Sequence, residues 1–113
     1  MSVTIESMDI LKEYFSNVLK RADHHAKEVQ EVALTLLGAV IWKSIGEVSV
    51  METKDGFGNV LWFRTESGDR YAMSYNHAEK KIDLRQHSVK GETLYQFDNL
   101  TPAAQVFGVF GVM

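Results

Sequence analysis

The hydrophobic pattern in the first third of the chain has the spacing of helices. After Ser7, apolar residues recur every three or four positions with polar residues between them, which predicts an amphipathic helix over residues 8–21. The same spacing resumes after Asp23 and predicts a second helix that runs to Ser44, with Gly46 ending it. One bent helix is the alternative. A break is favoured, because Asp-His-His is a poor helix interior and a fair cap.

The second half of this predicted helix is apolar on nearly every side. The run from Ala33 to Trp42 carries no charged residue. Such a helix is expected to be buried on most of its faces, and the rest of the chain is expected to pack around it. The run is also only about half of the roughly 20 residues that span a bilayer, so no membrane is expected as a partner.

Beyond Glu47 the hydrophobic period changes to two, which is typical of strands. Short segments rich in Gly, Asn, Asp and Ser separate five predicted strands. Their bounds are 47–53, 60–65, 70–75, 81–85 and 92–97, with a predicted turn over 54–59. Short turns favour an antiparallel meander, because parallel neighbours need long crossovers. The second strand is apolar on both faces and is expected to lie at the centre of the sheet.

The C-terminal tail begins as a helix would. Thr101 offers a hydroxyl cap and Pro102 suits the first helical position. No repeat or linker interrupts the chain, so residues 1–113 are interpreted as a single α+β domain. Its predicted architecture is two N-terminal helices packed on a five-stranded antiparallel meander, followed by a short C-terminal helix.

Composition narrows the classes of function. The 113 residues have a net charge of −3 and include no cysteine, which excludes disulfides, thiol catalysis and thiolate metal sites. Acids and bases are interspersed without a dense basic cluster, so nucleic acid is not expected as a partner. The absence of cysteine and of a basic, apolar leader favours a soluble protein of the cytoplasm.

The histidines and carboxylates match no catalytic or metal motif. His24 and Glu28 stand four apart on a predicted helix, but one such pair is an incomplete zinc site. His77 and His87 fall in a predicted turn and loop. No metal and no cofactor are therefore expected, and no catalytic residue is assigned.

The aromatic residues are more informative. Most of them are expected in the core, where a tyrosine hydroxyl or an indole N–H needs a polar partner. The hypothesis is that a small-molecule pocket, if there is one, lies between the second helix and the sheet. The predicted ligand-binding residues bordering it are Trp42, Trp62, Tyr71 and Tyr75. A space packed solid with side chains would remove this idea.

The chain carries more apolar surface than one helix layer covers. The tail is uncharged and the strand around Trp62 is apolar on both faces. They predict self-association through the tail and the outer face around Trp62, with a two-fold dimer favoured. The alternative is that the tail folds back and covers the sheet of its own chain.

Two stretches carry a resemblance to known proteins. The segment from His25 to Trp42 and the strand-rich half ending Leu94-Tyr-Gln-Phe-Asp-Asn-Leu-Thr-Pro resemble small proteins encoded on integron gene cassettes of environmental bacteria. The resemblance implies a bacterial cytoplasmic protein on a mobile genetic element, often a compact α+β oligomer. It supplies no catalytic residues and names no substrate.

The function predicted from these features is a non-enzymatic binding or interaction module. It is expected to form a homo-oligomer and to hold a small, partly apolar ligand between helix and sheet. The alternative is a small cofactor-free enzyme with a helix–sheet cone, analogous in architecture to steroid-isomerase-like proteins. An inward-pointing Asp83, Glu66 or His87 would favour the enzyme, because catalysis needs an acid or a histidine inside the cavity.

Overall fold

An antiparallel sheet with two helices on one face makes up the described part of the protein. The computed structural model describes residues 2–4, 13, 29–53 and 56–113. The strands are β1 (Ser2–Thr4), β2 (Ser49–Thr53), β3 (Gly56–Arg64), β4 (Arg70–Asn76), β5 (Lys81–Gln86) and β6 (Thr93–Phe97), and the helices are α1 (Gln30–Lys43) and α2 (Ala103–Gly111). Each strand pairs antiparallel with its neighbour in sequence, in the order β1-β2-β3-β4-β5-β6. The predicted α+β class and meander are confirmed.

The sheet has six strands where five were predicted. Strand β1 pairs with the start of β2, Ser2 opposite Met51 and Thr4 opposite Ser49. Three residues are too few to show an alternating pattern, so the sequence gives no periodic signal for this strand. The turn predicted over 54–59 is also wrong at positions 56–59, and positions 54–55 lie outside the described residues. Gly56 belongs to β3, where it pairs with Thr53, because cross-strand pairing overrides the local turn preference of its glycines.

The predicted first helix, 8–21, and the start of the predicted second helix lie outside the described residues. Glu13 is the exception, and it is helical and exposed. Helix α1 ends at Lys43, within one residue of the prediction. The Ser44 amide still donates to the Val40 carbonyl, and the Ile45 amide then donates to the Arg64 carbonyl of β3 at 2.9 Å. This last bond ties the end of the helix to the sheet.

The start of α1 is capped by the side chain of Asn99, which lies in the loop after β6. The Asn99 Oδ1 accepts hydrogen bonds from the Glu31 and Val32 amides, both at 3.0 Å. Its Nδ2 donates to the Gln30 Oε1 at 3.4 Å. The first amides of a helix have no partner within the helix, so an acceptor supplied by the loop after β6 stabilises α1.

The core lies between the helices and one face of the sheet. Both helices send apolar side chains onto that face: α1 contributes Val32, Leu36 and Val40, α2 contributes Val106 and Phe110, and the strands contribute Val50, Leu61, Phe63, Met73, Leu84 and Phe97. The Phe110 ring stacks against Phe63 with 6.1 Å between ring centroids. The tail therefore covers part of the sheet of its own chain.

Helix α2 begins without the predicted hydroxyl cap. Pro102 is the cap residue, and no side chain bonds to the first amides of the helix. The Thr101 Oγ1 instead accepts a hydrogen bond from the Asp98 amide at 3.0 Å, and the Asp98 Oδ1 accepts one from the Leu100 amide at 2.9 Å. The Thr101 hydroxyl therefore forms a hydrogen bond within the turn that precedes the helix, and does not cap the helix.

Candidate functional site

The outer side of the two helices is apolar and exposed. Six large apolar side chains on the helices, or within two residues after them, are each between 48% and 84% exposed: Leu34, Ile41, Trp42, Ile45, Phe107 and Val112. We call them the α1–α2 surface. Single exposed apolar residues are ordinary, but a group of this size on adjacent elements is typical of a binding or association surface.

The helical period explains why these side chains are exposed. The buried positions of α1, such as Leu36 and Val40, occupy the side facing the sheet. Leu34, Gly38 and Ile41 follow the four-three spacing of a helix–helix seam on the opposite side. A Cβ on Gly38 would meet nothing within 4 Å, so the middle of this seam is open.

A groove of about 430 Å³ lies between α1 and α2 on this surface. Its lining is mostly small and apolar, with one hydroxyl, and consists of Thr35, Gly38, Ala39, Trp42, Ala103, Ala104, Val106 and Phe107. The Trp42 and Phe107 rings stack nearly parallel, 5.2 Å apart and 12° from coplanar. The Lys43 Nζ lies 4.9 Å from the Trp42 ring centroid. The groove suits an apolar occupant, and none of the described residues that line it is acidic or basic.

The four predicted ligand-binding residues do not surround one space. Trp42 lines the groove outside α1, and Tyr71 is buried in the core, stacked on Phe63 at 5.4 Å. Tyr75 is half-buried, with its ring edge-on to His77 at 4.7 Å. Of these three aromatic residues, Trp42 alone lines the groove.

Trp62 lies on the other face of the sheet. Its neighbours Leu61 and Phe63 point into the core, so the alternation of side chains turns Trp62 away from the helices. Core side chains, including Leu36 and Val40, occupy the space between α1 and the sheet. Ligand binding by the predicted residues stays a prediction, and the groove rather than the helix–sheet interior is where Trp42 would take part.

The Tyr71 hydroxyl has a perturbed pKa. Burial raises the pKa of Tyr71 above its ordinary value, because the ionised phenolate would lose its hydration. The negative charge of Asp69 raises it further, while a hydrogen bond with the Thr65 side chain works in the opposite direction. The fold therefore disfavours ionisation of the Tyr71 hydroxyl.

Asp83 is the buried carboxylate of the described chain, at 2% exposure. Its Oδ2 accepts from the Arg85 Nη2 at 2.9 Å and the Asn76 Nδ2 at 3.1 Å, and its Oδ1 accepts from the Gln96 Nε2 at 2.9 Å. Asp83 points to the sheet face opposite the helices, since Leu84 beside it is in the core. Three side-chain N–H groups thus donate to this carboxylate, which is the arrangement of a structural ion pair.

The observations that would favour an enzyme do not occur at the helix–sheet interior. Asp83 faces away from it, and Glu66 and His87 are exposed in loops. Within residues 29–53 and 56–113 and the few others described, no three histidines or carboxylates gather as metal ligands. The described helices are also too short or too polar to cross a membrane.

Sequence reasoning missed Phe107 and the groove. Phe107 was one of several apolar residues in the tail, and only the packing of α2 shows that Val106 and Phe110 turn inward while Phe107 turns out. The one signal in the sequence was Gly38, an open position in the middle of an apolar helix.

The comparison with known families identifies a relationship over most of the chain. The family described as integron cassette protein VCH_CASS1 chain matches residues 11–106. That range includes α1, strands β2 to β6 and the first turn of α2. No curated protein is significantly similar to the chain.

Proposed function

The chain belongs to the integron cassette protein family, and we propose that it works as a non-enzymatic interaction module that forms a homodimer through the α1–α2 surface. The observation that carries this proposal is the exposure of six large apolar side chains on two adjacent helices and directly after them. Leaving that surface in water is unfavourable by about 25 cal/mol for each Å² of apolar area. The sequence contains no cysteine, which supports a reducing compartment, and we propose that the protein is cytoplasmic.

The seam on α1 is complementary to itself. Two copies of α1 packed antiparallel about a two-fold axis near Gly38 bring Leu34 of one copy against Ile41 of the other. The open space at Gly38 lets the two helices approach closely, and the large residues on either side interdigitate.

Charges at the ends of α1 support the antiparallel arrangement. Glu31 lies in the first turn and Lys43 in the last turn, and the outward residues between them are uncharged. Antiparallel pairing places Glu31 of one copy near Lys43 of the second copy, whereas parallel pairing places like charges together. The charges thus select one orientation, and apolar burial supplies most of the affinity.

A small apolar ligand is the second candidate occupant of the same surface. The groove volume of about 430 Å³ lies within the range of roughly 300–1,000 Å³ that is typical of small-molecule sites. Trp42 and Phe107 would stack on a flat apolar molecule. A ligand in this groove would take the place of the side chains that a second copy inserts.

Sedimentation equilibrium at micromolar concentration tests the dimer. The native protein is expected at twice its chain mass of 12.8 kDa. Ile41→Glu is expected to give a monomer, because the dimer would bury an unpaired carboxylate. Val89→Glu, an exposed apolar residue in the β5–β6 loop, is the matched control and should stay dimeric.

Glu31 and Lys43 give a second, independent test of the dimer. Glu31→Lys and Lys43→Glu should each weaken the dimer, and the double variant should restore it. A native protein that sediments as a monomer overturns the dimer. A monomer that carries a bound small mass in native mass spectrometry would favour the ligand instead.

A further inference from the structure

The sheet face opposite the helices is basic, although the whole chain is acidic. Cross-strand pairing places Trp62 opposite Ala72 and Arg64 opposite Arg70, and it continues the same face through β5. Among strand positions with described side chains, this face carries four cations and one carboxylate: Arg64, Arg70, Lys81, Arg85 and Asp83. The charges of these described side chains sum to +3, whereas the whole sequence has a net charge of −3.

Arg64 and Arg70 form a like-charge pair across neighbouring strands. They are register partners at the end of β3 and the start of β4. Side chains of register partners lie about 5 Å apart at Cβ, and like charges at that distance destabilise the sheet. A polar, uncharged residue at either position would satisfy the same strand without this repulsion.

Neither guanidinium is neutralised by a carboxylate in the described structure. The Arg64 Nη1 donates to the Gly68 carbonyl and the Arg70 Nη1 to the His87 carbonyl, both at 3.2 Å. The salt bridge found among the described residues joins Arg85 to Asp83. A guanidinium has five N–H donors, so each arginine keeps donors for an incoming acceptor.

The surroundings hold the Arg70 side chain in place and leave its charge uncancelled. The Arg70 guanidinium carbon lies 5.5 Å from the Trp62 ring centroid, and this cation–π contact directs the side chain across the outer face. Two acids, Glu66 and Asp69, lie in the adjoining turn. Asp69 accepts from the Ser67 hydroxyl at 3.2 Å rather than from an arginine.

We propose that Arg64, Arg70 and Trp62 form a binding site for the phosphate group of a small phosphorylated molecule. Two adjacent guanidiniums offer planar, charge-assisted donors that match phosphate oxygens. A doubly charged anion between them converts the repulsion of the pair into attraction to the ligand. The site lies on the face opposite the α1–α2 surface and does not depend on the dimer.

Tryptophan fluorescence measures this binding directly. Trp42→Phe leaves Trp62 as the single tryptophan, so a titration with inorganic phosphate reports on the site. We expect a saturable change in Trp62 emission with phosphate and none with chloride at equal ionic strength. Adenosine monophosphate should bind at least as tightly as inorganic phosphate, and weaker binding would overturn the assignment to a phosphorylated molecule.

Two arginine variants and a matched control decide the assignment. Arg64→Gln and Arg70→Gln should each weaken phosphate binding about tenfold, since each removes a charge-assisted hydrogen bond. Lys81→Gln removes a cation from the same face at a distance from the pair, and it should weaken binding less than twofold. Calorimetric titration of the native protein and of the Trp42→Phe protein with phosphate checks that this substitution leaves the phosphate affinity unchanged.

Stability supplies the second readout. Arg64→Gln should raise the urea midpoint of the phosphate-free protein, because it relieves the repulsion, and it should reduce the stabilisation that a given phosphate concentration provides. Equal weakening by Lys81→Gln and Arg64→Gln would show general screening and overturn the site. A phosphate titration that does not saturate would overturn it as well.

Discussion

The contribution of the Asn99 cap on α1 to the free energy of unfolding follows from the two hydrogen bonds that it accepts. Asn99→Ala removes the oxygen that accepts from the Glu31 and Val32 amides, and leaves both amides without that partner. Loss of a helix cap costs about 1 kcal/mol, and a second, part-buried amide adds to it. We expect the free energy of unfolding to fall by roughly 1.5 kcal/mol, which is a drop of about 6 °C in Tm.

Asn99→Asp separates capping from packing. The carboxylate keeps both acceptor bonds and gains a favourable interaction with the helix N-terminus of roughly 0.3–1 kcal/mol. It loses the weak bond to the Gln30 Oε1 and lies near the Glu31 carboxylate, so we expect stability within about 0.5 kcal/mol of the native protein at pH 7.

Urea denaturation followed by circular dichroism is the assay, with all variants at one protein concentration because dimerisation contributes to stability. Gln105→Ala, an exposed amide in α2, is the control and should change the free energy of unfolding by less than about 0.5 kcal/mol. Equal losses for Asn99→Ala and Asn99→Asp would refute the reasoning. They would mean that Asn99 acts through its shape or its Nδ2, and not as the cap.

Three further predictions concern the outer face and the core. Asp83→Ala should cost about 3 kcal/mol in urea denaturation, because it leaves the Arg85 guanidinium unpaired, and Arg85→Leu in the same chain should recover part of that loss. Gly91→Ala should cost roughly 3 kcal/mol in thermal denaturation, since a Cβ there overlaps the Gln86 carbonyl oxygen; an unchanged Tm would show that the loop has room. Because the pKa of Tyr71 is raised in the fold, its contribution is complete below the unfolded value of 10.0 and is lost as the pH rises through the folded value. The native protein should therefore lose more stability above pH 10.0 than Tyr71→Phe, and parallel pH profiles of Tm would contradict the shift.

Much of the strand pattern could be read from the sequence because it depends on short-range alternation. Tyr71, Met73 and Tyr75 alternate with Ala72 and Ser74 along the sequence, and cross-strand pairing with Leu84 and Ile82 places them on the helix side. The strands beyond Glu47 lie within two residues of their predicted bounds, except β3, which begins at Gly56 rather than at Val60. Two-residue periodicity is a local property, and local properties survive folding where they agree with the sheet.

The face on which Trp62 lies could not be predicted. Val60 to Phe63 is apolar without alternation, so nothing in the segment distinguishes inward from outward positions. The register set by the β3–β4 pairing decides it, and a shift of one residue would exchange Trp62 with Phe63. The arginine pair was missed for the same reason, since facing Arg64 to Arg70 requires knowing the register.

The exposed side of α1 was missed for a different reason. Leu34 and Leu36 have the same hydrophobicity, yet Leu36 is buried and Leu34 is 59% exposed. Hydrophobic composition predicts that a side chain will seek cover but not whether its own chain supplies it. The Asn99 cap was equally hidden, because its donors lie 67 and 68 residues away along the chain.

The strand order has a consequence for the speed of folding. Consecutive strands from β2 to β6 pair with each other, so the sheet can assemble through successive hairpins whose loops close over few residues. Bringing Asn99 onto the start of α1 instead closes a loop of 68 residues, at a higher entropic cost. The hairpins should therefore form in the earlier phase of refolding, and the docking of α1 beside α2 should complete the native state.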